Sequence, residues 1–129
     1  MDTFYETVGG ARFFEALVAD FYRRVELDTN LRGLYPQDLS NSIRWMTMFL
    51  SQYFGGPGTY SEQKGHPRLR MRHAHIKIGA TQRDAWWNAM RDAVAASGIQ
   101  EPHRSAMLEY FTTSADWMIN HDEQATTEA

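Results

Sequence analysis

The residues from His66 to His75, reading His-Pro-Arg-Leu-Arg-Met-Arg-His-Ala-His, hold the densest chemistry in the chain. Arg68, Arg70 and Arg72 alternate with Leu69 and Met71, and His73 and His75 close the run. Such a segment has a cationic side and an apolar side, with an imidazole at its end. It suits a flat apolar ligand that carries carboxylates and a metal atom, since guanidinium groups pair with carboxylates and a neutral imidazole binds the metal. On a helix, His73 and His75 point about 200° apart, so they cannot share one metal. The face carrying Leu69 or Met71 favours His73. For any single arginine, a solvated helix face is the plainer reading. A nucleic-acid contact is weaker still, because the run is short, lacks interleaved aromatic rings and sits on a chain of net charge -3.

Composition narrows the ligand. A chain of 129 residues fits one domain with one core. Its 43% hydrophobic and 22% charged residues are ordinary for a soluble globular protein. Aromatic residues reach 13%, with four Trp and seven Met, which is more than a small core requires. They could line a pocket for a large apolar ligand, or simply form an aromatic core. The absence of cysteine excludes disulfides, a thiol nucleophile, thiolate zinc, iron–sulfur clusters and covalently anchored haem. Haem b, iron protoporphyrin IX, combines the flat apolar body, the carboxylates and the metal. No apolar run approaches the ~20 residues of a membrane span. Met1-Asp2-Thr3 opens nothing like a signal peptide, so the expected location is cytoplasmic.

The elements that must position these residues read as helices. Thr3 and Glu6 have capping-box spacing, and Gly9-Gly10 stops the short helix they start. Phe13, Phe14, Leu17, Val18, Phe21, Tyr22 and Val25 then form an amphipathic stripe that carries the phenol of Tyr22 inward. Residues 27–36 connect it to a second long helix capped by Asp38 or Ser40 and running to about Phe54, with Ile43, Met46, Met48 or Phe49, Leu50 and Tyr53 as apolar positions. Residues 55–67 read as an irregular loop. Pro67 opens a helix to about Ile78. Thr81 and Asp84 are spaced to cap the next, which holds Trp86, Trp87, Met90, Ala93 and Val94. Pro102 starts the last, with Met107 or Leu108, Phe111, Ala115, Met118 and Ile119 as its stripe. Strand and repeat signals are absent. The expectation is an all-α domain over 1–121 followed by a disordered acidic tail over 122–129.

Further pieces occur in a fixed order along nearly the whole chain: Phe4-Tyr5-x-x-Val8-Gly9-Gly10, Phe21-Tyr22, Tyr35-Pro36, Phe49-Leu50-x-x-Tyr53-x-Gly55-Gly56-Pro57, Tyr60, the run from His66 to His73, and Trp86. In that order they resemble the truncated haemoglobins. Tyr35 together with Trp86 points within that family to group II. The resemblance implies a two-over-two helical sandwich enclosing a haem, with His73 as the proximal iron ligand. It implies that Tyr22, Tyr35 and Trp86 are the distal, ligand-stabilising residues and would serve any catalysis. Arg72 and Tyr60 would meet the haem propionates, with Lys64 nearby, and Met71 would lie against the haem. By spacing, Ser42 and Met46 would face the distal pocket. The loop before residue 39 is one residue short of the family pattern, and Ala74-His75 departs from the Pro or larger apolar residue expected after the proximal histidine.

Two phenols and an indole N–H can each donate to O2, which carries partial negative charge on haem. At about 0.5–1.5 kcal/mol per hydrogen bond, three would slow release by roughly 10- to 1,000-fold, although donors competing for one or two atoms do not add cleanly. A pocket that grips O2 this firmly suits redox chemistry on NO or peroxide, with an unknown electron donor. The alternatives are an O2 sensor or store without turnover, and a helical module without haem that binds nucleic acid or a partner through residues 64–77. The expected assembly is a monomer or a homodimer, with neither nucleic acid nor membrane as a partner.

Overall fold

The computed structural model describes residues 2–65 and 78–118, so the run from His66 to His75, the expected helix to Ile78 and everything after Met118 lie outside the described residues. Six helices occur among them: α1 (Phe4–Val8), α2 (Gly10–Leu27), α3 (Ser40–Tyr53), α4 (Thr59–Lys64), α5 (Ala80–Ala96) and α6 (His103–Trp117), with a 3-10 turn at Arg32–Leu34. No strand occurs among the described residues. The helix α2 packs against α3 and α5, and α5 packs against α6. Two helix pairs therefore stack as the expected two-over-two sandwich.

The stripe of α2 explains its central place. Phe14, Leu17, Val18, Phe21 and Val25 are fully buried, and each large apolar side chain contributes about 1.5–3 kcal/mol on leaving water. Facing them are Leu50 of α3, Met90, Ala93 and Val94 of α5, and Met107 and Phe111 of α6. The small residues Ala85, Ala89 and Ala93 let α5 approach its neighbours closely.

Local signals set the helix ends, with some departures from expectation. The Thr3 hydroxyl accepts from the Glu6 N–H at 3.1 Å, capping α1. Gly9 ends α1 at φ 122, and Gly10 opens α2 rather than helping to stop α1. Gly56 lies where a Cβ would come within 2.7 Å of the Tyr5 ring and 2.8 Å of the Ser51 carbonyl, so only glycine fits. Asp38 caps the entry to α3 by accepting from the Ser40 N–H at 2.9 Å.

Three expectations are corrected. Residues 59–64 form α4 instead of loop. Gln52 of α3 holds it, accepting from the Ser61 N–H at 2.9 Å and donating to the Ser61 hydroxyl at 2.6 Å, while the buried Tyr60 pins it against Trp45 and Phe49. Thr81 does not cap α5. The cap is Gly79, whose N–H donates to the Gln82 carboxamide at 2.9 Å, which puts Thr81 inside the first turn. Tyr53 lies on the apolar stripe of α3 yet is 55% exposed, because it stacks on Tyr110 of α6 at the edge of the core.

Candidate haem site

A cavity of about 330 Å³ opens between the two helix pairs. That size lies in the range typical of cofactor pockets. Its apolar walls include Leu31 and Leu34 from the connector, Trp45, Met46 and Phe49 of α3, and Phe111 of α6. Trp86 of α5 and Tyr110 of α6 also border it.

Tyr22, Tyr35 and Trp86 meet on one wall. Tyr22 and Trp86 are buried, and the Tyr22 and Tyr35 rings stand edge to face at 5.4 Å. Trp86 is fixed between Phe21 at 5.6 Å and Phe111 at 5.9 Å. The polar ends interact with one another. Trp86 and Tyr22 bear on the Tyr35 phenol as donors and favour its anion. Burial pushes the Tyr35 phenol up to about 12, although those two donors work against the shift. Burial raises Tyr22 further, and the neighbouring Tyr35 adds to the rise, since an anion there would lie beside a second phenol. Both groups are therefore protonated donors at neutral pH. As a protonated phenol, Tyr35 has a hydrogen to offer to a ligand.

The other expected residues separate by position. Ser42, Met46 and Tyr60 all line the cavity. His73, Arg72 and Met71 lie outside the described residues, as does His75. The one described histidine, His103, packs edge-on to Phe4 at 4.7 Å and does not line the cavity. No cluster of metal-binding side chains occurs among the described residues. A single imidazole from the adjoining stretch is the kind of ligand a haem iron takes, and it would form no such cluster.

Sequence reasoning missed Trp45 and Arg83. Trp45 follows Ser42 by three positions on α3, so the spacing that selected Ser42 and Met46 also reaches it. The Lys64 ammonium stands 4.4 Å and the Arg44 guanidinium 5.0 Å from the Trp45 ring centroid. Arg83 lines the cavity while held by Asp116 of α6 at 2.7 Å and Asp84 at 2.9 Å. The contacts with Asp84 and Asp116 raise its already high pKa, so it stays charged. Among the described residues the cavity lining includes cations, Lys64 and Arg83, but no carboxylate. Broad aromatic walls, a cationic complement and a wall of neutral donors fit a flat apolar ligand with anionic side arms. That is the donor set haem needs.

Comparison with known proteins gives the same answer independently. A family model described as bacterial-like globin matches residues 3–120. The chain is 36% identical over 119 residues to the group 2 truncated haemoglobin YjbI of Bacillus subtilis (strain 168), covering 92% of this chain and 89% of the relative. It is similar to the crystal structure of haemoglobin from the thermophilic phototrophic bacterium Chloroflexus aurantiacus, at a TM-score of 0.92 and 50% identity, covering 94% of this chain and 100% of the other. It is also similar to the structure of a truncated oxygen-avid haemoglobin from Bacillus subtilis, at a TM-score of 0.87 and 35% identity, covering 92% and 100%. With the fold, the cavity and these likenesses together, the chain belongs to the bacterial-like globins as a group II truncated haemoglobin, a haem b protein that binds O2 and similar small ligands.

Proposed function

We propose that this globin retains O2 for redox chemistry on NO or peroxide rather than releasing it for delivery. The observation that carries the reading is the meeting of Tyr22, Tyr35 and Trp86 on one cavity wall. Haem, when bound, supplies an iron that takes diatomic ligands and exchanges electrons singly. Tyr35 donates to a small ligand that carries partial negative charge, while Tyr22 and Trp86 hold its oxygen in place. Leu31, Leu34 and Phe111 keep that wall dry, which strengthens each polar contact. His73 would take the iron, Met71 would lie against the porphyrin, and Arg72, Tyr60 and Lys64 would meet the propionates. Ser42 and Met46 complete the distal side. The oxygen avidity of the Bacillus subtilis relative supports a retaining pocket.

Conversion of NO and O2 to nitrate takes up one electron, and reduction of peroxide to water takes up two, so an external electron donor belongs to the proposal. The test is steady-state consumption of NO and of peroxide by the haem-loaded protein with a chemical reductant, beside free haem. Consumption well above free haem supports the reading; a rate equal to free haem overturns it and leaves a store or sensor. Optical and resonance Raman spectra of His73→Gly beside His75→Gly test the iron ligand. Loss of the axial signal in the second variant alone would reassign it.

A further inference from the structure

Tyr53 and Tyr110 form a ring pair that the pocket chemistry above does not use. Tyr110 borders the cavity, and its ring lies 4.0 Å from that of Tyr53, centroid to centroid, at an interplanar angle of 30°. No other ring pair among the described residues is as close, the next being Phe4 with Phe54 at 4.6 Å. Behind Tyr110 the rings continue inward, with Phe111 at 5.4 Å and Trp86 at 5.9 Å from Phe111. In front of it Tyr53 is 55% exposed. A continuous chain of tilted and edge-on rings therefore runs from the donor wall of the cavity to solvent, and its last two members are phenols.

We propose that Tyr53 is a surface oxidation site, reached from the haem pocket through Tyr110, at which a small phenolic reductant in solution delivers one electron. This rests on the peroxide branch of the proposed function. Oxidising a phenol by one electron makes its O–H strongly acidic, so the proton must have somewhere to go. Tyr110 is a poor final site. Its ring sits between Tyr53 and Phe111 and is only partly exposed, so its proton has a less direct route to water than that of Tyr53. Tyr53 faces water, which can take the proton. Oxidation at Tyr53 gives a neutral phenoxyl radical, a proton in solvent and an electron passed inward. A phenol in solution then restores Tyr53 by giving up one electron and one proton. Over a full turnover, one hydrogen peroxide and two phenols give two waters and two phenoxyl radicals. The O–O bond and two phenolic O–H bonds break, and four water O–H bonds result from the two already in peroxide and the two transferred hydrogens.

The purely structural reading is that the pair only packs. Phenylalanine at position 53 preserves stacking and removes the oxidisable O–H, so it separates the two. Haem-loaded full-length protein is mixed with hydrogen peroxide in the absence of any reductant. Two Tyr53 radicals from two molecules then join ring to ring, which is read as dityrosine fluorescence, a covalent dimer on a denaturing gel and a cross-linked peptide containing Tyr53. Tyr53→Phe is expected to lose all three, and Trp117→Phe, which alters another exposed ring on α6, to keep them. Peroxide consumption is followed in the same samples. Consumption with the Tyr53 cross-link persisting only in the wild type and Trp117→Phe supports the relay. Consumption with an undiminished dimer in Tyr53→Phe, or with no dimer in the wild type, overturns the relay alone. Absence of peroxide consumption overturns the peroxide branch and the relay together.

Discussion

The arrangement of Tyr22, Tyr35 and Trp86 makes a quantitative prediction that three independent donors would not. If Tyr22 and Trp86 give their hydrogens to the Tyr35 oxygen, Tyr35 alone has one left for the ligand. Tyr35→Phe removes the direct donor; the loss of a whole bond, about 0.5–1.5 kcal/mol or roughly a 2- to 12-fold faster O2 release, is the upper limit, since a freed neighbour can take its place. Tyr22→Phe acts only by weakening the polarisation of Tyr35. At about 10–30% of one bond, that is a change of about twofold or less.

The double variant sharpens this. Once Tyr35 is Phe, the Tyr22 hydroxyl has lost its acceptor and is buried, so it turns to the ligand rather than remain unsatisfied. Removing it in that background then costs a full hydrogen bond, again about 2- to 12-fold. The effect of Tyr22→Phe should thus grow when Tyr35 is absent. Stopped-flow O2 release, with carbon monoxide as the replacing ligand, measures all four proteins of the cycle. Equal factors for Tyr22→Phe in both backgrounds would refute the relay of donors and restore three independent ones.

Other consequences follow from the same geometry. Gly56→Ala should lose about 1–3 kcal/mol in urea unfolding of the haem-loaded protein, because the new Cβ meets the Tyr5 ring at 2.7 Å and backbone at 2.8 Å; an unchanged midpoint would show that α1 shifts freely. Gln52→Ala should speed amide hydrogen exchange across residues 59–64 with little effect on α2, since α4 hangs on that carboxamide. The stability of the fold should decline in alkali. Tyr35 and Tyr110 are raised by burial from 10.0 to about 12, so above pH 10 the unfolded chain loses these protons first and stability falls as pH climbs toward 12. Tyr110→Phe should flatten part of that decline, and an equally steep slope in the variant would mean that Tyr110 does not contribute.

What could be read in the sequence depended on whether the cause was local. The stripe of α2 and the Thr3 cap are encoded within a few turns of one helix, and both appear as expected. The helix α4 is too short and polar to hold itself, so its cause lies in Gln52 and Trp45 of another helix, where no local pattern could reveal it. Thr81 matched a capping pattern, but a glycine two residues earlier, with Gln82 reaching back to its N–H, made an equally good cap that the pattern does not describe. The donor wall is the harder case. Tyr22, Tyr35 and Trp86 are far apart in the chain, and no spacing rule joins them. They could be grouped in advance only by resemblance, while their order of donation, which sets the predictions above, required coordinates. Tyr53 shows the limit most plainly. Helical periodicity gives the direction of a side chain around its axis, but whether that direction ends in core or solvent depends on how far the neighbouring helix extends past it. At the C-terminal end of α3 the neighbour offers one ring, Tyr110, and open water beyond. A position that looks like core on the wheel becomes the exposed end of a path that begins at the cavity.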